Sequence, residues 1–245
     1  MSADCPRDLR DSVVVVTGAT SGIGAATARA LNAAGANLVL SGRRPGRLDR
    51  LAEELGPERT HIVAGDIAVP TTSRRLVEAA QERFGRLDSL VASAGVGHYG
   101  DIVEGTDDDM IEMVNTNVLG TVWSVRAAVP ALRASGGGDI VIVGSVAGYR
   151  GGPKEAVYAS TKFAQVGLAG AIDRELRADG IRVTTICPAA VHTEFAIGTG
   201  RTEGDPWLDQ VLQPEDVAEA VVFTLRQPRR LRTQTWTMWS MVEAS

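Results

Sequence analysis

Aromatic side chains are scarce in this chain: three tyrosines, four phenylalanines and four tryptophans in 245 residues. A full-sized core must therefore be built from Ala, Val, Leu and Ile, and the 44% hydrophobic content supplies them. Cysteine is scarcer still. Cys5 and Cys187 are far apart and form no CxxC pair, so a disulfide framework is excluded and a reducing, cytoplasmic setting is expected. Long hydrophobic runs are missing: the longest early one, Val13 to Val16, is too short for a signal-peptide core or a membrane span. Excess positive charge is missing too. With a formal net charge of −5 and scattered basic residues, a nucleic-acid surface is not expected. The small cluster Arg229, Arg230 and Arg232 reads as a solvated turn before the last strand. His61, His98 and His192 lack metal-ligand spacing, so no metal is expected. No internal repeat or low-complexity linker is present. Residues 1–245 are expected to form a single domain, with 1–11 as an N-terminal tail.

What the chain does have is alternation. Short β-branched runs predict strands at Val13–Thr17, Asn37–Ser41, Thr60–Ala64, Ser89–Ser93, Asp139–Gly144, Arg182–Cys187 and Gln234–Trp239. Amphipathic or Ala-rich segments between them predict helices at Gly22–Ala34, Pro45–Leu55, Pro70–Phe84, Asp107–Ala134, Glu155–Ala178 and Pro214–Leu225. Strands alternating with helices imply an α/β fold of the Rossmann-like, doubly wound kind: a seven-stranded parallel sheet with helices on both faces. Thr106 followed by Asp107, Asp108 and Asp109 caps a helix start. Gly35 is a C′ residue, and Pro130 should loosen the long fourth helix near its end. The stretch 192–213 has no clear periodicity, contains Gly198, Gly200 and Gly204, and offers Trp207 as an anchor. It follows a strand whose carboxyl end faces the ligand crevice, so it reads as a substrate lid.

Two clusters carry chemistry. In Tyr158-Ala159-Ser160-Thr161-Lys162 the tyrosine and lysine share one helix face. An ammonium beside a phenol favours the phenolate and lowers a pKa otherwise near 10, which makes Tyr158 a proton donor or acceptor. In Thr17-Gly18-Ala19-Thr20-Ser21-Gly22-Ile23-Gly24 the glycines, spaced GxxxGxG, join the first strand to the first helix. Such a turn lets backbone N–H groups approach a pyrophosphate at a helix N-terminus, or it is a tight turn that holds nothing. A dinucleotide with an acid/base partner suggests hydride transfer to or from a carbonyl.

Together with Ser145, these motifs resemble the compact single-domain branch of the short-chain dehydrogenase/reductase family, from about Asp11 to about Trp239. The resemblance implies an NADP(H)- or NAD(H)-dependent oxidoreductase interconverting a secondary alcohol and a ketone. It implies a catalytic set of Ser145, Tyr158, Lys162 and Asn117, the last anchoring a water that links Lys162 to solvent; Asn115 competes with Asn117 for that place. Gly18, Thr20, Ser21, Gly22, Ile23 and Gly24 would hold the dinucleotide, with Tyr158 and Lys162 at its nicotinamide end. The second strand ends Gly42-Arg43-Arg44, where an NAD enzyme usually carries an acid. Arg43 and Arg44 suit a 2′-phosphate, which favours NADP(H), or they are a solvated pair. Asp66-Ile67 would meet the adenine, unless Asp66 is simply a turn cap. Ala94 and Gly95 match the end of the family's Asn-Asn-Ala-Gly; Ala92 and Ser93 depart from it, and Ser93 compensates in part for the lost amide. Val191 would offer backbone atoms to the carboxamide, and Thr193 would contact the pyrophosphate.

The substrate pocket is expected from Ser145, His98, Tyr99, Ala147, Tyr149, Arg150 and Phe195. Gln213 to Val221 resembles, more weakly, the branch with NADP-dependent 3-hydroxy acid dehydrogenases and clavulanate-type reductases. Arg150 would then bind a carboxylate, or it is a solvated loop arginine. The family also implies a homo-oligomer, a tetramer or a dimer. Gly167, Ala169, Gly170 and Ala171 on one helix and Val118, Val122 and Val125 on another are candidate contact faces, with burial in the subunit's own core as the competing explanation. The alternative to an enzyme is a non-catalytic dinucleotide-binding regulator, which has no need of a proton relay.

Overall fold

A computed structural model describes residues 6–244; Cys5 lies outside the described residues. The elements in order are β1 (Val13–Thr17), α1 (Gly22–Ala33), β2 (Asn37–Gly42), α2 (Pro45–Leu55), β3 (Thr60–Ala64), α3 (Pro70–Phe84) and β4 (Ser89–Ala92). They continue with α4 (Asp107–Met113), α5 (Gly120–Ala134), β5 (Gly138–Val143), α6 (Ala156–Leu176), β6 (Ile181–Pro188), α7 (Pro214–Arg226) and β7 (Thr235–Met238). The seven strands form one parallel sheet in the order β3-β2-β1-β4-β5-β6-β7. β1 is all apolar and buried except for its terminal threonine, which is buried but polar, as a central parallel strand covered on both faces should be. Its alternate residues feed two separate cores. Val13 and Val15 pack into the layer with α3, α5 and α6, whereas Val14 and Val16 pack into the layer with α1 and α7. The strand order reverses between β1 and β4. The crevice for a ligand therefore opens at their carboxyl ends.

Five local outcomes differ from the sequence expectations. The segment 107–134 is not one uniform α-helix. A π turn, Val114–Leu119, separates α4 from α5. It coincides with Asn117, which is fully buried and bonds across to the backbone of Val96. A wider turn admits such an inward amide, and π turns of this kind occur at functional sites. Trp207 does not anchor the 192–213 stretch: it is 42% exposed, and Leu208 beside it is buried. The Arg229 to Arg232 cluster is not merely solvated, because Arg229 donates to the Gly138 carbonyl at 3.0 Å and Arg232 pairs with buried Asp173 at 3.0 Å. Val125 and Ala169 belong to the subunit's own core rather than to a free face. In the N-terminal stretch, Leu9 is buried and Arg7 pairs with Asp139 at 2.6 Å. Thr106 caps α4 by accepting from the Asp109 amide, and Gly35 adopts φ 86° after α1, both as expected.

Candidate active site

The carboxyl ends of β1, β2, β4, β5 and β6 enclose one long cleft of about 790 Å³. Its floor is the β1–α1 turn. Gly18 has φ 69°, and a Cβ there would lie 2.8 Å from the Ala94 backbone. A Cβ on Gly24 would collide with the Gly18 carbonyl, so α1 sits against the turn as only glycine permits. Thr20, Ser21, Gly22 and Ile23 line the same floor. The turn is held to β4 by Thr17, whose buried hydroxyl accepts from the amides of Ser93 and Ala94, both at 3.1 Å.

At one end of the cleft stand Arg43 and Arg44, with Arg47 outside it. Arg44 donates to Ser21 Oγ at 2.7 Å and Thr20 Oγ1 at 3.1 Å, and pairs with Glu194 at 3.0 Å. Arg47, which sequence reasoning passed over, pairs with the same Glu194 at 2.7 Å. Arg43 pairs with Glu112 at 2.6 Å, and Glu112 bonds His98 at 2.9 Å. The bond from Arg47, then that from Arg44, holds the Glu194 carboxyl below the usual range. Burial pushes Glu112 the other way, but the bonds from Arg43 and His98 prevail and lower it. Gly42 explains itself here: a Cβ would collide with the Thr20 methyl. Asp66 and Ile67 line the cleft, and one Asp66 oxygen caps the turn by accepting from the Ala68 amide at 2.9 Å.

At the other end is Tyr158, from the first turn of α6. It is buried, with Tyr99 and Phe195 rings at 5.5 and 5.7 Å. Ser145 lies just past β5, is itself buried, and accepts from the Ala147 amide at 3.1 Å; its side chain favours the ionised form of the Tyr158 phenol. Burial holds the Tyr158 phenol above its ordinary pKa; Tyr99 adds to this, and Ser145 opposes it. The lowering expected from Lys162 does not set the direction: burial dominates, and the groups that oppose it are Ser145 and Arg201. Lys162 lies 5.6 Å from the ring centroid, and burial lowers its own pKa to about 8. Its ammonium donates to the Val143 carbonyl at 3.2 Å and to Gln165 Oε1 at 2.9 Å.

Gln165 is a further residue that sequence reasoning missed. It is fully buried on α6, one turn beyond Lys162, and its amide donates to the Asn117 carbonyl and Thr121 Oγ1, both at 2.9 Å. A side chain therefore spans from Lys162 to the Asn117 carbonyl. Asn117 rather than Asn115 points inward; its amide bonds Val96 and Thr161. Ala94, Gly95, Val191 and Thr193 line the cleft. The Val191 carbonyl is taken by Arg201 at 2.8 Å, and Thr193 Oγ1 accepts from the Phe195 amide at 3.2 Å. Of the expected pocket residues, His98, Tyr99, Arg150 and Phe195 line the cleft, whereas buried Ser145 is not among its lining residues. Tyr149 does not line it either: its hydroxyl turns to Thr235 Oγ1 at 3.3 Å on β7. Ala147 is packed behind Tyr158. Among the described residues no side-chain group could hold a metal ion, and no helix is long and apolar enough to cross a membrane.

A doubly wound parallel sheet with a glycine-floored cleft at its switch point defines a nucleotide-binding α/β protein. Residues 12–204 match the short chain dehydrogenase family. The chain belongs to that family. An uncharacterized oxidoreductase of Staphylococcus aureus is 32% identical over 230 residues, covering 94% of this chain and 97% of the relative. One of Staphylococcus saprophyticus is 33% identical over 234 residues, covering 94% and 98%. Among solved structures, an alcohol dehydrogenase from the archaeon Thermococcus sibiricus, complexed with 5-hydroxy-NADP, superposes with a TM-score of 0.87 at 31% identity, covering 96% of this chain and 98% of that one. The closed form of a serine dehydrogenase complexed with NADP+ also gives 0.87, at 28% identity over 95% and 96%. This chain is an oxidoreductase of the short-chain dehydrogenase family.

Proposed function

We propose that this protein is an NADP(H)-dependent oxidoreductase that interconverts a secondary alcohol and a ketone. The observation that carries the reading is Tyr158: a buried phenol on the cleft wall, with the Lys162 ammonium 5.6 Å from its ring centroid and Ser145 favouring its ionised form. The cleft suits a dinucleotide. Its floor is shaped by glycines that a Cβ would fill, and it runs from the arginines to Tyr158. Gly18, Gly22 and Gly24 would flank the pyrophosphate at the α1 N-terminus. Arg44 with Thr20 and Ser21, and Arg43 beside them, would hold the 2′-phosphate that distinguishes NADP(H); the structural relatives complexed with NADP compounds agree with this. Asp66 and Ile67 would border the adenine.

When bound, the nicotinamide supplies or accepts the hydride. The protein's part is the proton. In reduction Tyr158 donates its phenolic proton to the carbonyl oxygen; in oxidation it takes the hydroxyl proton. A raised phenol pKa keeps that proton on Tyr158 until the oxygen demands it. Ser145 donates to the same oxygen and stabilises the alkoxide that forms. Lys162, held by Val143 and Gln165, places a positive charge beside the phenol and favours its ionised state after transfer. Asn117 fixes the π turn and the Gln165 amide that orients Lys162. The test is NADPH oxidation with a panel of ketones in wild type and Tyr158→Phe. Turnover should fall by about 10²-fold or more while NADPH binding stays within about twofold, because ring packing is kept and only the acid is lost. Substantial residual turnover in that variant would sink the mechanism.

A further inference from the structure

Glu194 belongs to the stretch after β6, yet its carboxylate is held from the other side of the cleft. Arg44 Nη1 donates to Oε2 at 3.0 Å, and Arg47 Nη1 donates to Oε1 at 2.9 Å and to Oε2 at 2.7 Å. The two grips are unequal, since Arg47 holds both oxygens and Arg44 holds one. The arginines also stand in different places. Arg44 lines the main cleft, where it donates to Ser21 Oγ at 2.7 Å and Thr20 Oγ1 at 3.1 Å. Arg47, in the first turn of α2, lines a neighbouring recess of about 460 Å³ and not the cleft. Glu194 lines both, together with Thr20, Ser21, Gly22 and Thr193. It can therefore leave Arg44 and keep both of its bonds to Arg47.

The backbone around Glu194 is already laid on the floor of the cleft. A Cβ on Gly22 would meet the Thr193 methyl at 3.0 Å, so the step from Thr193 to Glu194 passes over the β1–α1 turn beside Thr20 and Ser21. A guanidinium flanked by two hydroxyls is a donor set that suits a phosphate. Among the described residues the anion on that set is Glu194. A second anion brought to the same guanidinium would repel it. All three side chains of the group are partly exposed, so a change of partner needs no unpacking. Arg43 has a separate counter-ion, Glu112, which is itself bonded to His98 at 2.9 Å.

We propose that Glu194 tunes cofactor selectivity: it occupies Arg44 as an internal counter-ion, and the 2′-phosphate of NADP(H) takes its place as Glu194 shifts wholly onto Arg47. This rests on the reading above that puts the 2′-phosphate at Arg44, and it names a residue that acts against that phosphate. NAD(H) carries a hydroxyl at the same position and brings no anion to compete there. Arg47 is a positioning residue that acts through Glu194, by receiving the carboxylate when Arg44 is given up. Exposed ion pairs are weak, so the effect on affinity is several-fold rather than a thousandfold.

The test is calorimetric binding of NADPH, NADH, adenosine 2′,5′-bisphosphate and AMP at low ionic strength. The proteins are wild type, Glu194→Gln, Arg47→Ala, the double variant and Arg44→Ala. Glu194→Gln should bind NADPH and the bisphosphate about 3- to 10-fold tighter than wild type, with NADH and AMP within about twofold. Arg47→Ala should weaken NADPH about 3- to 10-fold, because Glu194 then rests on Arg44 alone. With Glu194→Gln in the background, the same change at Arg47 should cost no more than about twofold. Unchanged or weaker NADPH binding in Glu194→Gln overturns the proposal, and so does an equal gain for NADH. Equal loss from Arg47→Ala with and without Glu194 would give Arg47 a direct hold on the phosphate and overturn its part here. Arg44→Ala separates this proposal from the reading beneath it. If that variant weakens NADPH while Glu194→Gln changes nothing, the phosphate site stands and the role of Glu194 falls. If it leaves NADPH binding unchanged, the phosphate site at Arg44 falls, and the role of Glu194 with it.

Discussion

Replacing Gln165 by leucine probes how Lys162 is kept charged in a buried site. The change keeps the volume of the side chain and removes three hydrogen bonds: one from Lys162 Nζ, one to the Asn117 carbonyl and one to Thr121 Oγ1. The remaining described acceptor for the ammonium is the Val143 carbonyl at 3.2 Å. A bond to a charged group is worth about 1.5–3 kcal/mol, and each neutral one about 1 kcal/mol. The lost ammonium bond favoured the protonated lysine, so the pKa should fall by roughly one to two pH units at about 1.36 kcal/mol each. From a starting value of about 8, that carries Lys162 into a range of roughly 6–7. The charged form is the one that supports Tyr158, so carbonyl reduction should fade as pH rises through the Lys162 pKa. The assay is the pH profile of kcat/KM for NADPH-dependent ketone reduction. The alkaline limb should lie near 8 in wild type and move to lower pH in Gln165→Leu. Gln165→Glu supplies an anion at the same place and should move the limb to higher pH. A role in packing alone would destabilise both variants without moving the limb in opposite directions. The same limb in all three proteins, or shifts of the same sign, would refute the reasoning.

Cofactor choice should answer to the arginine end of the cleft. Arg43→Ala and Arg44→Ala should each raise KM for NADPH by roughly 10- to 100-fold and leave KM for NADH within a few-fold; unchanged NADPH preference in both would place the 2′-phosphate elsewhere. Gly42→Asp alone should lower thermal stability, since its Cβ would collide with the Thr20 methyl; paired with Thr20→Ala it should shift preference toward NADH, read as the ratio of kcat/KM values. The chain is expected to be a homo-oligomer. Gly167, with open space over its Cα, and exposed Phe163 and Leu119 leave an accessible face on α6 and the neighbouring π turn. A monomer mass in sedimentation at micromolar concentration would count against it.

The sheet was legible because its strands are written in period and composition. Val13 to Val16 could only be a strand buried on both faces, and the glycines after it mark the turn into α1. Tyr158 and Lys162 were legible for a related reason: four residues on one helix place both side chains without help from the rest of the chain. What escaped was set by partners far away in sequence. The π turn exists because Asn117 reaches Val96, and nothing in the pattern of residues 107–134 announces that bond. Tyr149 follows Ser145 closely, yet a contact with β7 turns it out of the cleft. Gln165 left a faint trace, a polar residue three positions after Lys162 on a helix side that goes on to bury Ala169, Ile172 and Leu176. Read as an i, i+3 neighbour of a buried lysine, it would have been found. Glu194 left none, because its partners Arg44 and Arg47 lie far away in sequence, on the other side of the cleft. The pattern has a physical basis. The acid/base pair rides on a regular helix, where spacing decides position, whereas the residues that would select cofactor and substrate ride largely on irregular backbone, where position is decided by contacts across the cleft.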